Sequence, residues 1–159
     1  MSLSVYLSDE SATVAFGRRL AELLAPPLCV HLNGTLGSGK TTLVRSILRG
    51  RGEAGPVPSP TYTLVEVYQV LGVEVQHFDL YRLEDPEELE LIGIRDYLAR
   101  SALRFFEWPD KGGWALPAAD LLFELRTRGE GRTLEISANS HPGTLILPKI
   151  GNEWVSITI

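Results

Sequence analysis

The sequence is short of cysteine, of positive charge and of long apolar runs, and each shortage removes a class of protein. One cysteine, Cys29, excludes an intrachain disulfide and any multi-cysteine metal cluster. No apolar stretch approaches the roughly 18 residues that a membrane span needs. Asp9 and Glu10 stand where a secretory signal would carry basic residues, so the expected location is cytoplasmic with no membrane partner. Fifteen Lys and Arg against twenty Asp and Glu leave a net charge of −5. A protein that grips nucleic acid by itself wants the opposite balance, although a local basic patch stays open. What is present is ordinary for a folded domain: 44% hydrophobic and 22% charged residues argue against disorder. A chain of 159 residues fits one domain that buries roughly 68–70% of its unfolded surface without a metal or disulfide to hold it.

Ser8-Asp9-Glu10-Ser11 opens a helical pattern, with Ala12, Phe16, Leu20, Leu23 and Leu24 near one face and Pro26-Pro27 ending it. Leu28 to Leu32 reads as a buried strand, and residues 41 to 49 as a helix stopped by Gly50. Arg45, Arg49 and Arg51 are most simply a solvated helix end, with a local basic patch as the alternative. Tyr62 to Val70 and Val73 to Leu80, joined by Leu71-Gly72, form a hairpin pattern. Asp85-Pro86-Glu87-Glu88 starts a helix with a capping carboxylate, proline at the first helical position and glutamate three residues after the cap. Leu103 to Phe106 reads as a strand, and Leu121 to Arg128 with Arg132 to Ala138 as a second hairpin around Gly129-Glu130-Gly131. Thr144 to Ile150 suits either a short helix or an edge strand containing Pro148. The succession predicts an α/β fold with a mixed, partly parallel central sheet flanked by helices.

Gly34-Thr35-Leu36-Gly37-Ser38-Gly39-Lys40-Thr41 satisfies G-x-x-x-x-G-K-[ST] at every fixed position. Glycines let the backbone turn its N–H groups onto phosphate oxygens, and the following helix adds its positive end. Lys40 has the reach for β- and γ-phosphates and the Thr41 hydroxyl for Mg²⁺. A chance match in such a chain is on the order of one in two hundred. A strand before the loop and a helix after it supply the context that makes nucleotide binding the expectation.

Phosphoryl transfer also needs a carboxylate for Mg²⁺ and a group that orients the nucleophile. Asp79, at the end of Val73-Glu74-Val75-Gln76-His77-Phe78, is one candidate; a helix or turn cap is its plain alternative. Glu107, closing Leu103-Arg104-Phe105-Phe106, is the other, as metal ligand, through water, or as base. Pro58-Ser59-Pro60-Thr61-Tyr62-Thr63 holds the position of a nucleotide-sensing switch, where Ser59 or Thr61 would meet the γ-phosphate side; a stiff connector fits equally. His31 and His77 read as core or hydrogen-bonded histidines. Trp108 is a core aromatic, a stacking surface or a partner anchor, with the core favoured.

The segments GTLGSGKTTLVR, SPTYTLVEVY, HFDLYRLEDPEELELIGIRDY and FEWP, in this order, resemble the TsaE (YjeE) family of bacterial P-loop ATPases across most of residues 8 to 138. The resemblance implies a single P-loop NTPase-type domain over residues 1–150, with 151–159 an extension of unknown role. It implies an ATP- and Mg²⁺-dependent ATPase serving the threonylcarbamoyl modification of tRNA with TsaD and TsaB, meeting tRNA mainly through that complex. Carried onto this chain, Gly37, Ser38, Gly39, Lys40, Thr41 and Thr42 hold phosphate. Thr41, Asp79 and Glu107 hold the metal, and Lys40, Asp79 and Glu107 serve hydrolysis. Trp108 is the tryptophan paired with Glu107, while the segment around Ser8 to Thr13, with Ser11 and Thr13 in it, and Arg132 lie toward the adenine. The family loop usually reads GDLGAGKT; Thr35 and Ser38 here replace its aspartate and alanine, removing one carboxylate beside the phosphates.

Three other readings compete. A small GTPase would carry N-K-x-D, which is absent, and Asp79-Leu80-Tyr81-Arg82 is not D-x-x-G. A nucleotide kinase would need an acceptor pocket and an arginine-bearing lid. A binding module would use the nucleotide only as a conformational ligand.

Overall fold

The computed structural model describes residues 1–158, with side chains described through residue 152. Seven strands and five α-helices follow in the order β1 Ser2–Leu7, α1 Glu10–Leu23, β2 Leu28–Gly34, α2 Lys40–Arg51, β3 Val65–Val70, β4 Val73–Asp79, α3 Glu87–Leu91, α4 Ile94–Leu98, β5 Leu103–Glu107, β6 Leu121–Arg128, β7 Gly131–Ala138 and α5 His141–Thr158. The strands make one sheet in the order β1-β7-β6-β2-β5-β4-β3. Its centre, β6-β2-β5-β4, is parallel, and β3, β7 and β1 are added antiparallel. This is the mixed, partly parallel sheet that the sequence predicts.

Parallel strands need both faces covered, so their residues are apolar on both sides. Val30, Leu32, Val75, Phe105 and Phe123 join α1, α2 and α5 in the larger core through Phe16, Leu20, Ile47 and Leu147. On the other face Cys29, Phe78 and Phe106 meet Leu83, Leu89 and Ile94 from the α3–α4 region, with the Phe78 and Phe106 rings stacked 4.5 Å apart.

The Asp9 carboxylate caps α1, accepting the Ala12 N–H at 2.8 Å. Helix α2 differs from expectation at its end, because Gly50 lies inside it. A Cβ on Gly50 would sit 2.7 Å from the Ala21 Cβ, and one on Gly17 would sit 2.4 Å from the Ser46 Cβ. The two glycines are thus where α1 and α2 touch. Gly52, at φ 108°, ends α2 instead: its N–H bonds the Arg49 carbonyl while the Glu53 N–H bonds that of Leu48. Nor are the arginines of α2 a solvated end. Arg45 donates to the Val57 carbonyl, Arg49 to those of Glu53 and Gly55, and Arg51 to Ala21 and Leu24, tying down the following loop and the end of α1.

Other departures are local. The strand expected from Tyr62 begins at Val65, after a turn in which the Leu64 N–H bonds the Pro60 carbonyl at 2.8 Å. Helix α3 starts at Glu87, with Pro86 in the cap position and no side-chain cap bond, one residue later than expected; Asp85 accepts the Glu87 N–H and Glu88 the Glu84 N–H beside it. Gly93, at φ 78°, then divides the helix in two. Residues 144–150 are helical within α5, Pro148 included, and the sheet edge is taken by β1. The extension expected after residue 150 begins inside α5.

Candidate functional site

Strand β2 runs straight into the glycine loop, and α2 starts as the loop ends. Gly37 and Gly39 take φ of 79° and 106°, conformations that a side chain would strain. The turn is closed by the Ser38 N–H on the Thr35 carbonyl at 3.1 Å. Strand pairing then fixes the carboxylates. Glu107 lies opposite Leu32 of β2 on one side and Asp79 of β4 on the other, so both acids stand at the carboxyl ends of parallel strands beside the loop. Ligands of open α/β sheets bind at that edge.

The result is a cleft of about 370 Å³. Gly37, Gly39, Lys40, Thr41, Thr42, Ser59, Thr61, Asp79, Glu107, Trp108 and Arg132 line it, drawn from widely separated segments. Ser38 is buried beneath the loop with its hydroxyl unpartnered. Ser11 is exposed on the first turn of α1, and Thr13 is buried, its hydroxyl bonding the Asp9 carbonyl at 3.3 Å. Neither lines the cleft. Glu10, which lies within the 8–13 segment expected toward the adenine, does line it, as do Leu36 and Tyr81, which are not among the expected site residues. Tyr81 sits two residues past Asp79.

The Lys40 ammonium donates to the carbonyls of Gly34 at 2.5 Å and Thr35 at 3.0 Å and lies 4.3 Å from the centre of the Trp108 ring. Burial pushes its pKa below the usual lysine range, and the charges of Glu107 and Asp79 pull it part of the way back. Trp108 itself packs against the smaller core, as the sequence favoured, yet turns its ring to the cleft and 5.1 Å from that of Tyr81. It holds this place with φ at 57°, a backbone conformation costly for a bulky residue and concentrated at functional sites.

The two acids have different partners. The Thr41 hydroxyl donates to Glu107 at 3.0 and 3.1 Å from its two oxygens, and the buried His77 ring approaches the same carboxylate at 2.5 Å. Asp79 instead accepts the Thr61 hydroxyl at 2.9 Å and the Tyr81 N–H at 3.0 Å, and Ser59 and Thr61 bond each other at 2.8 Å. The segment read as switch or connector is thus fastened directly to a cleft carboxylate. Arg132 crosses from β7 to lie on Gly39, donating to the Ser38 carbonyl at 3.0 Å. That places it on the phosphate loop.

The donor set suits Mg²⁺ held jointly with phosphate. Thr41, Glu107 and Asp79 offer hard oxygens, and Mg²⁺ in nucleotide sites takes one or two carboxylates and completes its shell with phosphate and water. Among the described residues no cluster of three or more His, Cys, Asp or Glu forms a self-sufficient metal cage.

Comparison with known proteins shows the family of the chain. Residues 7–134 match the family model described as threonylcarbamoyl adenosine biosynthesis protein TsaE. The tRNA threonylcarbamoyladenosine biosynthesis protein TsaE of Haemophilus influenzae is 45% identical over 156 residues, covering 95% of this chain and 99% of that protein. Its counterpart in Rickettsia felis is 34% identical over 142 residues, covering 88% and 82%. In fold, the chain superimposes on the crystal structure of Bacillus subtilis YdiB with a TM-score of 0.80 and 96% coverage of each, at 20% identity. On the family match and the identity to these relatives, the chain belongs to the TsaE family.

Proposed function

We propose that this protein binds ATP with Mg²⁺ and hydrolyses it, as the ATPase of tRNA threonylcarbamoyladenosine synthesis working with TsaD and TsaB. The observation that carries the reading is the convergence of Lys40, Thr41, Asp79 and Glu107 at the carboxyl edge of β2, β5 and β4. The N–H groups of residues 37–40 and the start of α2 would hold the phosphates, with Lys40 leaving its two carbonyls for phosphate oxygens. Thr41, Glu107 and Asp79 would hold Mg²⁺, which when bound neutralises charge on the β- and γ-phosphates. Glu107, already fixed by two donors, is the group placed to orient a water. The fused Thr61–Asp79 contact gives the segment 58–63 a way to respond to the phosphate side.

The family resemblance implies that the threonylcarbamoyl donor is an already activated adenylate, and transfer from such a donor needs no second ATP for chemistry. ATP then serves a conformational step in the partner complex. The test is a pull-down of TsaB–TsaD by this protein with ATP, ADP or no nucleotide, beside calorimetric titration with ATP and GTP. Nucleotide-dependent capture and preference for ATP are the expected results. Capture indifferent to nucleotide would remove the conformational role, and preference for GTP would favour a GTPase.

A further inference from the structure

His77 is fully buried in β4 among residues of the larger core. In the parallel register His77 lies opposite Phe105 and Asp79 opposite Glu107, so all four project on the same face of the sheet. An apolar side chain would suit this position better, since a buried polar ring is costly without a partner. The described contact of the ring is a single one: its Nε2 lies 2.5 Å from Glu107 Oε2, with the two side chains 0% and 2% exposed. Nδ1 is buried and has no partner. An ionised carboxylate only accepts, so the bond requires the proton on Nε2. The tautomer also leaves Nδ1 as a bare acceptor rather than an orphaned buried donor, which is the rarer and costlier case.

Glu107 is therefore gripped from two directions, by the Thr41 hydroxyl of α2 and by the His77 ring of β4. Thr41 alone would leave the carboxylate free to turn about its single donor and toward the Lys40 ammonium in the same cleft. We propose that His77 is a positioning residue that holds the Glu107 carboxylate in its working orientation through a donated Nε2–H bond. The inference rests on the reading that Glu107 serves ATP hydrolysis and deepens it by adding the residue through which that carboxylate is set.

The experiment compares wild type, Glu107→Ala, His77→Leu and His77→Gln for ATP turnover, for MgATP affinity by calorimetry and for thermal unfolding. His77→Leu fills the space without a donor, and His77→Gln restores an amide N–H. A hydrogen bond to a charged acceptor corresponds to about 10- to 100-fold, so kcat in His77→Leu should fall by that factor. Its MgATP affinity should stay within about threefold of wild type, and His77→Gln should regain most of the lost kcat. On the wild-type protein, long-range ¹⁵N–¹H correlation should show His77 protonated at Nε2 and bare at Nδ1. The inference alone is overturned if Glu107→Ala is inactive while His77→Leu turns over within about twofold of wild type. It is also overturned if folded His77→Gln does no better than folded His77→Leu, or if the ring carries its proton on Nδ1. The spectrum decides even where a variant fails to fold. Full turnover in Glu107→Ala instead removes the reading of Glu107 itself, and the role of His77 falls with it.

Discussion

Lys40 is the residue whose environment is most finely set. It loses water by burial and recovers part of that loss from two acids, two carbonyls and the Trp108 ring. The carbonyl bonds hold it in the loop, where on the proposed reading phosphate oxygens would compete for the same ammonium. Lys40→Ala should weaken ATP binding by about 10- to 100-fold, the worth of one hydrogen bond to a charged group. Calorimetry giving equal ATP affinity for the variant and wild type would refute the placement. Cys29 has a different use. Burial, helped by Asp120 and opposed by Arg104, pushes its thiol from about 9 up to about 12, while Asp120 also accepts its N–H at 2.8 Å. Between these two values the unfolded chain gives up the thiol proton and the folded one keeps it. The folded state then binds more protons, so stability falls as pH rises through this window, by up to about 1.4 kcal/mol per pH unit. Below pH 9 the contribution is constant. Urea unfolding of wild type and Cys29→Ala at pH 8 and pH 10.5 isolates it: the stability gap between the two proteins should narrow or reverse at the higher pH, and an unchanged gap refutes the shift.

Among the elements, the contact of α1 with α2 carries weight because α2 bears the phosphate loop at its start. Gly17→Ala sets two effects against each other. Alanine gains about 1 kcal/mol of helix propensity over glycine. Its Cβ, however, would lie 2.4 Å from the Ser46 Cβ and 3.1 Å from the Leu43 carbonyl oxygen, so α1 must move off α2. Overpacking costs about 1–3 kcal/mol, so a net loss of up to about 2 kcal/mol is expected, roughly 2–4 °C in Tm for each kcal/mol. A rise in Tm would show that the helices do not meet there. This contact also marks where the sequence stops being legible. The glycine loop, the two hairpins and the parallel strands declare themselves by local pattern, and so do the cleft residues of the loop, the strand ends and the 58–63 segment, whereas Thr42 and Arg132 come only with the family resemblance. Gly50 looked like a stop, since nothing local distinguishes a glycine that ends a helix from one that lets another helix approach. β1 was missed although Leu3, Val5 and Leu7 alternate with Ser2, Ser4 and Tyr6; six residues at a chain end show the pattern but not the β7 edge that pairs with them. The His77–Glu107 bond is hidden for the same reason, as it exists only once distant elements are side by side.

At the scale of the whole molecule, charge and coupling decide what the protein does with a nucleotide. A net charge of −5 gives it little hold on tRNA by itself, and no described helix is long and apolar enough to cross a membrane. On the proposed reading its output passes through the TsaD–TsaB partner. Such a device works only if one nucleotide state binds that partner more tightly than the other, because a ligand without differential affinity shifts nothing. The bonds from Thr61 to Asp79 and between Thr61 and Ser59 link the cleft to an exposed loop, which on the proposed reading would be the physical route for that difference. TsaD–TsaB should therefore be captured best with ATP present, and hydrolysis should release it for the next round. Glu107→Ala separates the two steps, since a group acting mainly in the transition state lowers turnover more than ground-state binding. The variant should still bind MgATP and the partner complex, and should support about one round of tRNA modification per complex without sustaining more. The measurement is the yield of modified tRNA against time with purified TsaD, TsaB and the activated adenylate, for wild type and for a Glu107→Ala preparation shown to lack ATPase activity. A burst followed by a plateau is expected from the variant; a sustained yield equal to wild type would mean that ATP acts in this protein as a bound ligand and its hydrolysis does no work on the complex.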